Sequence, residues 1–385
     1  MEKAKLVPFR LEVEQSVLDD LKRRLANVRW PDEVPGNDWK YGTDLAYLKT
    51  LVAYWREQYD WRKHEAEINR FRQYKVKLAG IDLHFIHEEG KGPAPAPLLL
   101  SHGWPGSVYE FHKVLPMLTD PSSHGADPAD SFTVVAPSLP GYIFSFKPGQ
   151  QRFSLEQIAD AFAELMTRVL GYDSYFAQGG DWGAFVTSRL GYAYPQHVKA
   201  IHLNLLAVRR DPKMMANPTP EEKEFLGQLE TFLKEETGYQ WIQGTKPQTL
   251  AYGLTDSPVG LAAWLVEKFH TWTDCRGDLD GYFGRDTMIT DIMLYWITGA
   301  IGSSFWPYCA RMHGPWPIPE GETVKVPTAY IDFPKEILRP PRSVAERMYS
   351  NIQRWTSHPR GGHFAALEQP EILAEDVRAF FRALR

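Results

Sequence analysis

The chain has 385 residues, 43% of them hydrophobic, and its 43 Lys and Arg against 48 Asp and Glu give a formal net charge of −5. This length suits one enlarged domain with a sizeable core, and the mixed charges lack the basic stripe that a nucleic-acid partner requires. Cys275 and Cys309 are too few for a disulfide framework or a zinc cluster, and no segment is apolar enough to anchor in a membrane, so we expect a cytoplasmic protein without metal.

The N-terminal region has two segments with apolar residues at helical spacing, Val17–Leu25 and Leu45–Tyr59, the second preceded by Thr43 as a predicted cap. They predict a helical arm over residues 1–72. From Tyr74 the pattern changes to strict alternation around Ala79-Gly80, which predicts a β-hairpin that opens a sheet.

Strands and helices alternate in the next part of the chain, residues 73–211, and this order predicts a parallel α/β sheet. The predicted strands are Ala96–Ser101, Ser131–Pro137, Tyr175–Ala177 and Ala200–Leu205, and the predicted helices are Val108–Leu118, Leu155–Leu170 and Ala184–Tyr194.

The alternation ends after Asp211. Residues 212–315 contain predicted helices with long polar connections, and we interpret them as a helical cap inserted over the sheet. A strand at Val326–Asp332 and a final amphipathic helix complete the α/β core over residues 316–385. The predicted fold class is therefore α/β with a helical cap insertion and an N-terminal helical arm.

The segment GGDWG, Gly179–Gly183, lies between a predicted strand and a predicted helix. A nucleophile between small residues at a strand-to-helix turn is typical of a nucleophile elbow, because the turn is too tight for larger side chains. Asp181 would be the nucleophile. The alternative is that Asp181 only caps the following helix, and the local sequence supports both interpretations about equally.

Two other segments, HGWPGS and GGHFAALEQP, favour Asp181 as a nucleophile. HGWPGS, His102–Ser107, directly follows a buried strand, where α/β-hydrolases place part of the oxyanion hole. The backbone N–H groups of Trp104 and Trp182 are then candidates to stabilise one oxyanion. The alternative for HGWPGS is an ordinary Gly-Pro turn.

A histidine base and an acid should follow the nucleophile in the chain. His363, in GGHFAALEQP, precedes the last predicted helix, and His358 is a weaker candidate. The acid should follow the strand Val326–Asp332. Asp332 and Glu336 are the candidates, and Glu336 is favoured because it lies deeper in the loop.

An Asp nucleophile attacks saturated carbon and forms an ester on the enzyme, which activated water then hydrolyses. Epoxides and alkyl halides are the two obvious substrate classes. An opening epoxide needs proton donors such as tyrosine hydroxyls, whereas a halide prefers N–H donors. The residues alone do not decide which tyrosine of the predicted cap donates this proton. The candidates are Tyr239, Tyr252, Tyr282, Tyr295 and Tyr308.

Five segments together resemble the microsomal-type epoxide hydrolases of the α/β-hydrolase fold: HGWPGS, PSLPGYIFSF, GGDWG, DSPVGLAAWLVEKFHTWTD and GGHFAALEQPE. The resemblance extends through the N-terminal arm, FRLEVEQSVLDDLKRRLANVRWPDE. It implies Asp181 as nucleophile, His363 as base and Glu336 as its acid partner. It further implies that Tyr239 and Tyr308 protonate the opening ring, and that the amides of Trp104 and Trp182 form the oxyanion hole.

The resemblance implies a cofactor-free epoxide hydrolase that acts on an apolar epoxide and water, with a possible homodimer contact through the arm. Two alternatives stay open. One is a haloalkane dehalogenase-type hydrolase, since tryptophan beside the nucleophile also suits a halide. The other is a catalytically inactive binding protein on the same scaffold.

Overall fold

The computed structural model describes residues 5–209 and 212–385, and within them the chain forms one mixed sheet surrounded by helices. Its strands follow the spatial order β1-β2-β3-β5-β4-β6-β7-β8-β9. In chain order they are β1 (Val7–Phe9), β2 (Gln73–Leu78), β3 (Ile81–Glu88), β4 (Ala96–Ser101), β5 (Phe132–Pro137), β6 (Tyr175–Gly179), β7 (Val198–Leu203), β8 (Thr328–Asp332) and β9 (Ile352–Ser357).

Antiparallel pairing joins β1, β2, β3 and β5, and parallel pairing joins the remaining strands. The predicted hairpin is confirmed: Ala79 and Gly80 both have positive φ, +49° and +79°, as a two-residue turn between twisted strands requires. Strand β4 is central, and its Leu98 and Leu99 are fully buried. Such all-apolar strands are typical of a sheet covered on both faces.

The helices of the N-terminal region and of the first part of the core flank this sheet. They are α1 (Gln15–Ala26), α2 (Leu45–Glu57), α3 (Trp61–Ile68), α4 (Val114–Thr119), α5 (Leu155–Glu164) and α6 (Asp181–Ala193). Helix α5 continues as a π turn over Leu165–Val169, and Ser154 and Gln157 form the predicted capping box at its start. The cap of α2 is Asp44 and not Thr43, because the Asp44 carboxylate accepts from the Tyr47 N–H at 2.8 Å.

All regular elements that the structure describes between β7 and β8 are helices, as the break in strand-helix alternation predicted. Its helices are α7 (Pro212–Ala216), α8 (Pro220–Glu235), α9 (Gly238–Thr245), α10 (Pro247–Asp256), α11 (Pro258–Thr271), α12 (Leu279–Phe283), α13 (Arg285–Thr298), α14 (Ile301–Ser304) and α15 (Trp306–His313). Three more helices close the chain: α16 (Arg342–Ala345), α17 (Ala365–Glu368) and α18 (Pro370–Arg382).

Outside the cap, the sequence patterns missed two edge strands and three short helices. Strand β1 has three residues, one of them Pro8, and the mostly half-buried β9 lacks a clear apolar alternation, so neither gives a strong strand pattern. Helices α3, α16 and α17 were also not predicted. The division at residues 72, 211 and 315 stays a prediction, and its boundary at Asp211 lies outside the described residues. Within the described residues, no helix combines the length and apolarity needed to cross a membrane.

Candidate active site

Asp181 stands at a sharp turn between β6 and α6, with a φ of +48° that non-glycine residues rarely adopt. The flanking glycines make this turn possible. A Cβ on Gly179 would lie 2.3 Å from the carbonyl oxygen of Gly183, and one on Gly183 would lie 1.9 Å from that of Ser101. The helix-cap alternative does not hold, because Gly180 is the N-cap of α6 and no side chain caps it.

The imidazole of His363 lies between two carboxylates. Its Nε2 is 3.3 Å from Oδ2 of Asp181, and its Nδ1 is 2.6 Å from Oε1 of Glu336. His363 and Glu336 are both buried. The structure thus brings together the three residues proposed as nucleophile, base and acid, although they are far apart in the chain.

The two rejected candidates have other partners. The carboxylate of Asp332 accepts from Nε and Nη2 of Arg339, at 2.8 and 2.6 Å. His358 stacks on Phe333, with ring centroids 5.8 Å apart. Both residues therefore stabilise the loop that carries Glu336.

Opposing effects set the protonation of this triad. Burial lowers the pKa of His363, but the charge of Glu336 and hydrogen bonds to Asp181 and Glu336 together raise that pKa well above its ordinary value. Burial likewise raises the pKa of Glu336, against the lowering effect of His363. The net direction of the shift favours the protonated form of the His363 imidazole.

The HGWPGS loop places one amide at the nucleophile. The backbone N–H of Trp104 donates to Oδ1 of Asp181 at 2.7 Å. Trp182 is the second residue of α6, where a backbone N–H has no acceptor within the helix. A tetrahedral oxyanion at Asp181 would find such amides ready as donors.

Tyr239 on α9 and Tyr308 on α15 meet above this loop. Their ring centroids are 5.6 Å apart, and Tyr239 stacks on Trp104 at 5.4 Å. Both line one cavity with Asp181. Burial is the main cause that raises the pKa of each hydroxyl above its ordinary value, so both stay protonated and can donate.

The other three tyrosine candidates lie elsewhere or have structural partners. Tyr252 is 71% exposed. The hydroxyl of Tyr282 donates to Glu368 at 3.1 Å, and that of Tyr295 donates to the carbonyl of Gly106 at 2.7 Å. Of the five tyrosines, Tyr239 and Tyr308 line the larger cavity together with Asp181.

Two cavities of different character reach Asp181. The larger, about 560 Å³, is lined mainly by apolar side chains of the core and the cap helices, including Phe185, Phe225 and Leu229. This volume and lining suit an apolar small molecule.

The smaller cavity, about 20 Å³, is lined by polar groups, among them Glu110, Gln178 and His363. A water molecule needs about 10–15 Å³ of such volume. This cavity can therefore hold about one water next to the imidazole.

Glu110 is a cavity residue that sequence reasoning missed. Burial is the main cause that raises the pKa of its carboxyl well above the ordinary value. Its position shortly after HGWPGS was the available signal, since an acidic residue in an apolar stretch beside an oxyanion loop is unusual. In the described part of the chain, no group of three or more His, Cys, Asp or Glu side chains is arranged to hold a metal ion.

Comparisons with known proteins agree with this geometry. A sequence profile described as "Epoxide hydrolase N terminus" matches residues 6–111, and one described as "alpha/beta hydrolase fold" matches residues 96–257. A putative epoxide hydrolase of Stigmatella aurantiaca is 45% identical over 99% of this chain and 86% of its own length. Epoxide hydrolase 1 of Oryctolagus cuniculus is 37% identical over 99% of this chain and 89% of its own length.

Solved structures give the same result. The juvenile hormone epoxide hydrolase of the silkworm Bombyx mori superposes with a TM-score of 0.87 at 31% identity, covering 100% of this chain and 95% of its own. The epoxide hydrolase of Aspergillus niger superposes with a TM-score of 0.86 at 31% identity, covering 99% and 97%. These matches confirm the α/β-hydrolase fold, and the chain belongs to the microsomal-type epoxide hydrolase family.

Proposed function

We propose that this chain converts an epoxide to a vicinal diol through an ester formed on Asp181. The observation that carries the proposal is a carboxylate nucleophile and two buried tyrosine hydroxyls, of Tyr239 and Tyr308, on one apolar cavity. A carboxylate attacks saturated carbon, and an opening epoxide needs a proton at the oxygen that it releases.

In the first step, an Asp181 oxygen bonds to one epoxide carbon while the bond from that carbon to the ring oxygen breaks. The released oxygen takes a proton from Tyr239 or Tyr308. The products are a hydroxyalkyl ester of Asp181 and a tyrosinate, and no cofactor takes part.

Ester formation then changes the charge around His363. Against the effect of burial, Glu336 and Asp181 raise the pKa of His363, and the ester of Asp181 has no charge. The imidazolium therefore gives up its proton, which restores the tyrosine hydroxyl. Neutral Nε2 becomes available as a base only after the ring has opened.

In the second step, His363 takes a proton from a water in the small cavity, and the hydroxide attacks Cγ of Asp181. The amides of Trp104 and Trp182 stabilise the tetrahedral oxyanion. The bond between Cγ and the alkyl oxygen breaks, and that oxygen takes the proton from the new carboxylic acid. The diol leaves, and Asp181 and the imidazolium return to their starting states.

Diol formation from a simple aryl epoxide tests this proposal. Wild type is expected to give diol, and Asp181→Asn is expected to give none because the amide is a poor nucleophile. Asp173→Asn makes the same change at an exposed site and should keep full activity.

Dehalogenation is the competing function, because the buried indole Nε1 of Trp104 has no hydrogen-bond partner among the described residues and could bind a halide. Halide release from a chloroalkane, without diol formation from any epoxide, would contradict the proposal.

The size and lining of the larger cavity support a bulky apolar epoxide as substrate.

The cellular location and the oligomeric state of the protein are further parts of the proposal. The free thiols of Cys275 and Cys309 support a cytoplasmic location. We further propose a homodimer, which light scattering of the purified protein would test.

A further inference from the structure

Two guanidinium groups line the otherwise apolar cavity beside Asp181. Arg209 follows β7, and Arg311 lies on α15. Both stack over Trp316, with distances of 5.5 Å and 4.0 Å from the guanidinium carbon to the ring centroid. Cations in a cavity for an apolar substrate need an explanation, because burial without a counter-charge is unfavourable.

Arg209 has protein partners, although its ion pair is weak. Its Nη2 donates to the carbonyl of Ile318 at 2.7 Å. Its Nη1 lies 3.8 Å from Glu320, whose side chain is 86% exposed. Solvent screening leaves such an exposed pair with little stabilising effect. Among the described residues, the charge of Arg209 therefore has only this weak counter-charge.

Arg311 makes no hydrogen bond or ion pair with any residue that the structure describes, and its Nε is buried without a partner. The nearby charges act in opposite directions: beyond burial, Arg209 lowers the pKa of Arg311 and Glu156 raises it. Glu156 lines a neighbouring cavity that Trp316 also lines, and no ion pair joins it to Arg311 in the described part of the chain. The fork of Arg311 is thus free to bind a ligand.

Arg311 lies on the same helix as Tyr308, one of the two proposed proton donors. Tyr308 and Arg311 are three residues apart on α15, so they lie on the same face with a rise of about 4.5 Å between their Cα atoms. Apolar side chains line the cavity around them, including Leu205, Val208, Phe225 and Leu229. A ligand with its epoxide at Tyr308 would reach Arg311 through several aliphatic carbons.

We propose that Arg311, supported by Arg209, binds the carboxylate of an epoxy acid whose aliphatic chain fills the cavity. A planar guanidinium binds a carboxylate through two parallel hydrogen bonds, and the anion would offset the repulsion between the two arginines. This inference rests on the proposed function and names the substrate class.

Three substrates of equal chain length test the inference: a medium-chain epoxy acid, its methyl ester, and the corresponding alkyl epoxide. In wild type, the acid should have the lowest KM. In Arg311→Gln, the KM for the acid should rise about 10- to 100-fold with a nearly unchanged kcat, because a hydrogen bond to a charged group is lost. The KM values for the ester and the alkyl epoxide should change far less.

Arg152→Gln is the matched control. Arg152 also stacks on an aromatic ring, Phe146, at 5.6 Å, but it lies away from the cavity lining. The KM values of Arg152→Gln for all three substrates should equal those of wild type. Arg311→Lys keeps the charge without the fork and should restore part of the affinity for the acid.

The outcomes separate this inference from the proposed function. If wild type hydrolyses the alkyl epoxide but shows no preference for the acid, or if Arg311→Gln raises all three KM values equally, the carboxylate site is wrong. If wild type forms no diol from any of the three, the proposed function itself is wrong.

Discussion

Asp181 shows how single residues determine this site. Its φ of +48° is costly for a non-glycine residue, and such strain persists only where the surroundings enforce it. The close backbone approach at Gly179 and Gly183 does so here. The spacing of small residues made this feature predictable from sequence, because only glycine fits where another chain segment comes within van der Waals contact.

The chemistry of His363 depends on the charge of its neighbour. Replacing Asp181 with Asn removes that charge, as ester formation does, so the pKa of His363 should fall by about one unit or more. Titration of the imidazole signals by NMR measures this. His112, whose pKa burial lowers to about 4, should titrate alike in both proteins. An unchanged His363 titration would contradict the charge switch.

Glu110 lines the small cavity with His363 and is expected to position the water of the second step. Glu110→Gln should slow ester hydrolysis by about 100-fold, the cost of a badly placed reactant. Ring opening should keep its rate, so the ester should accumulate in rapid-quench mass spectrometry. Glu371→Gln, at an exposed site, is the control. Unchanged ester hydrolysis in Glu110→Gln would exclude this role.

At the level of secondary-structure elements, two buried hydrogen bonds connect helix α13 to the HGWPGS loop. The hydroxyl of Ser107 donates to Oδ1 of Asp291 at 2.8 Å, and the hydroxyl of Tyr295 donates to the carbonyl of Gly106 at 2.7 Å. These bonds connect a cap helix to the loop that carries the Trp104 amide. The position of that amide therefore depends on residues almost 200 positions away in the chain.

Asp291 makes this connection pH-dependent. Burial raises its pKa to about 7, above the unfolded value, so its contribution to stability is complete at low pH and is lost as pH rises through 7. Between pH 5 and 8, the free energy of unfolding of wild type should fall by about 3 kcal/mol relative to that of Asp291→Asn, which has no such carboxyl. Urea unfolding of both proteins at each pH measures the difference. A constant difference would contradict this account.

The predictability of each element followed the strength of its local pattern. The hairpin at Ala79-Gly80 and the capping box at Ser154 have strong local signals, and both were predicted correctly. Strand β1 depends on pairing with β2, more than 60 residues later, and carries no such signal. Glu110 gave only a weak signal, its acidic side chain in an apolar stretch after HGWPGS, because burial beside His363 is a property of the folded chain.

For the whole molecule, side-chain hydrogen bonds tie the N-terminal arm to the cap helices. The hydroxyls of Tyr47 and Tyr54 on α2 donate to Asp280 and Asp286, each at 2.8 Å. The hydroxyl of Thr43 donates to the carbonyl of Ala263 on α11 at 2.7 Å. The arm is thus hydrogen-bonded to α11, α12 and α13. We infer that it helps to fix the cap over the nucleophile.

In the proposed mechanism, water attacks an ester on Asp181 and not the epoxide itself. A single turnover with excess wild-type enzyme in heavy-oxygen water, followed by mass spectrometry of the peptide that contains Asp181, tests it most directly. If the ester forms, the heavy oxygen should enter the Asp181 carboxylate, and the diol should carry none from the solvent. Heavy oxygen in the diol, with an unlabelled Asp181, would contradict it.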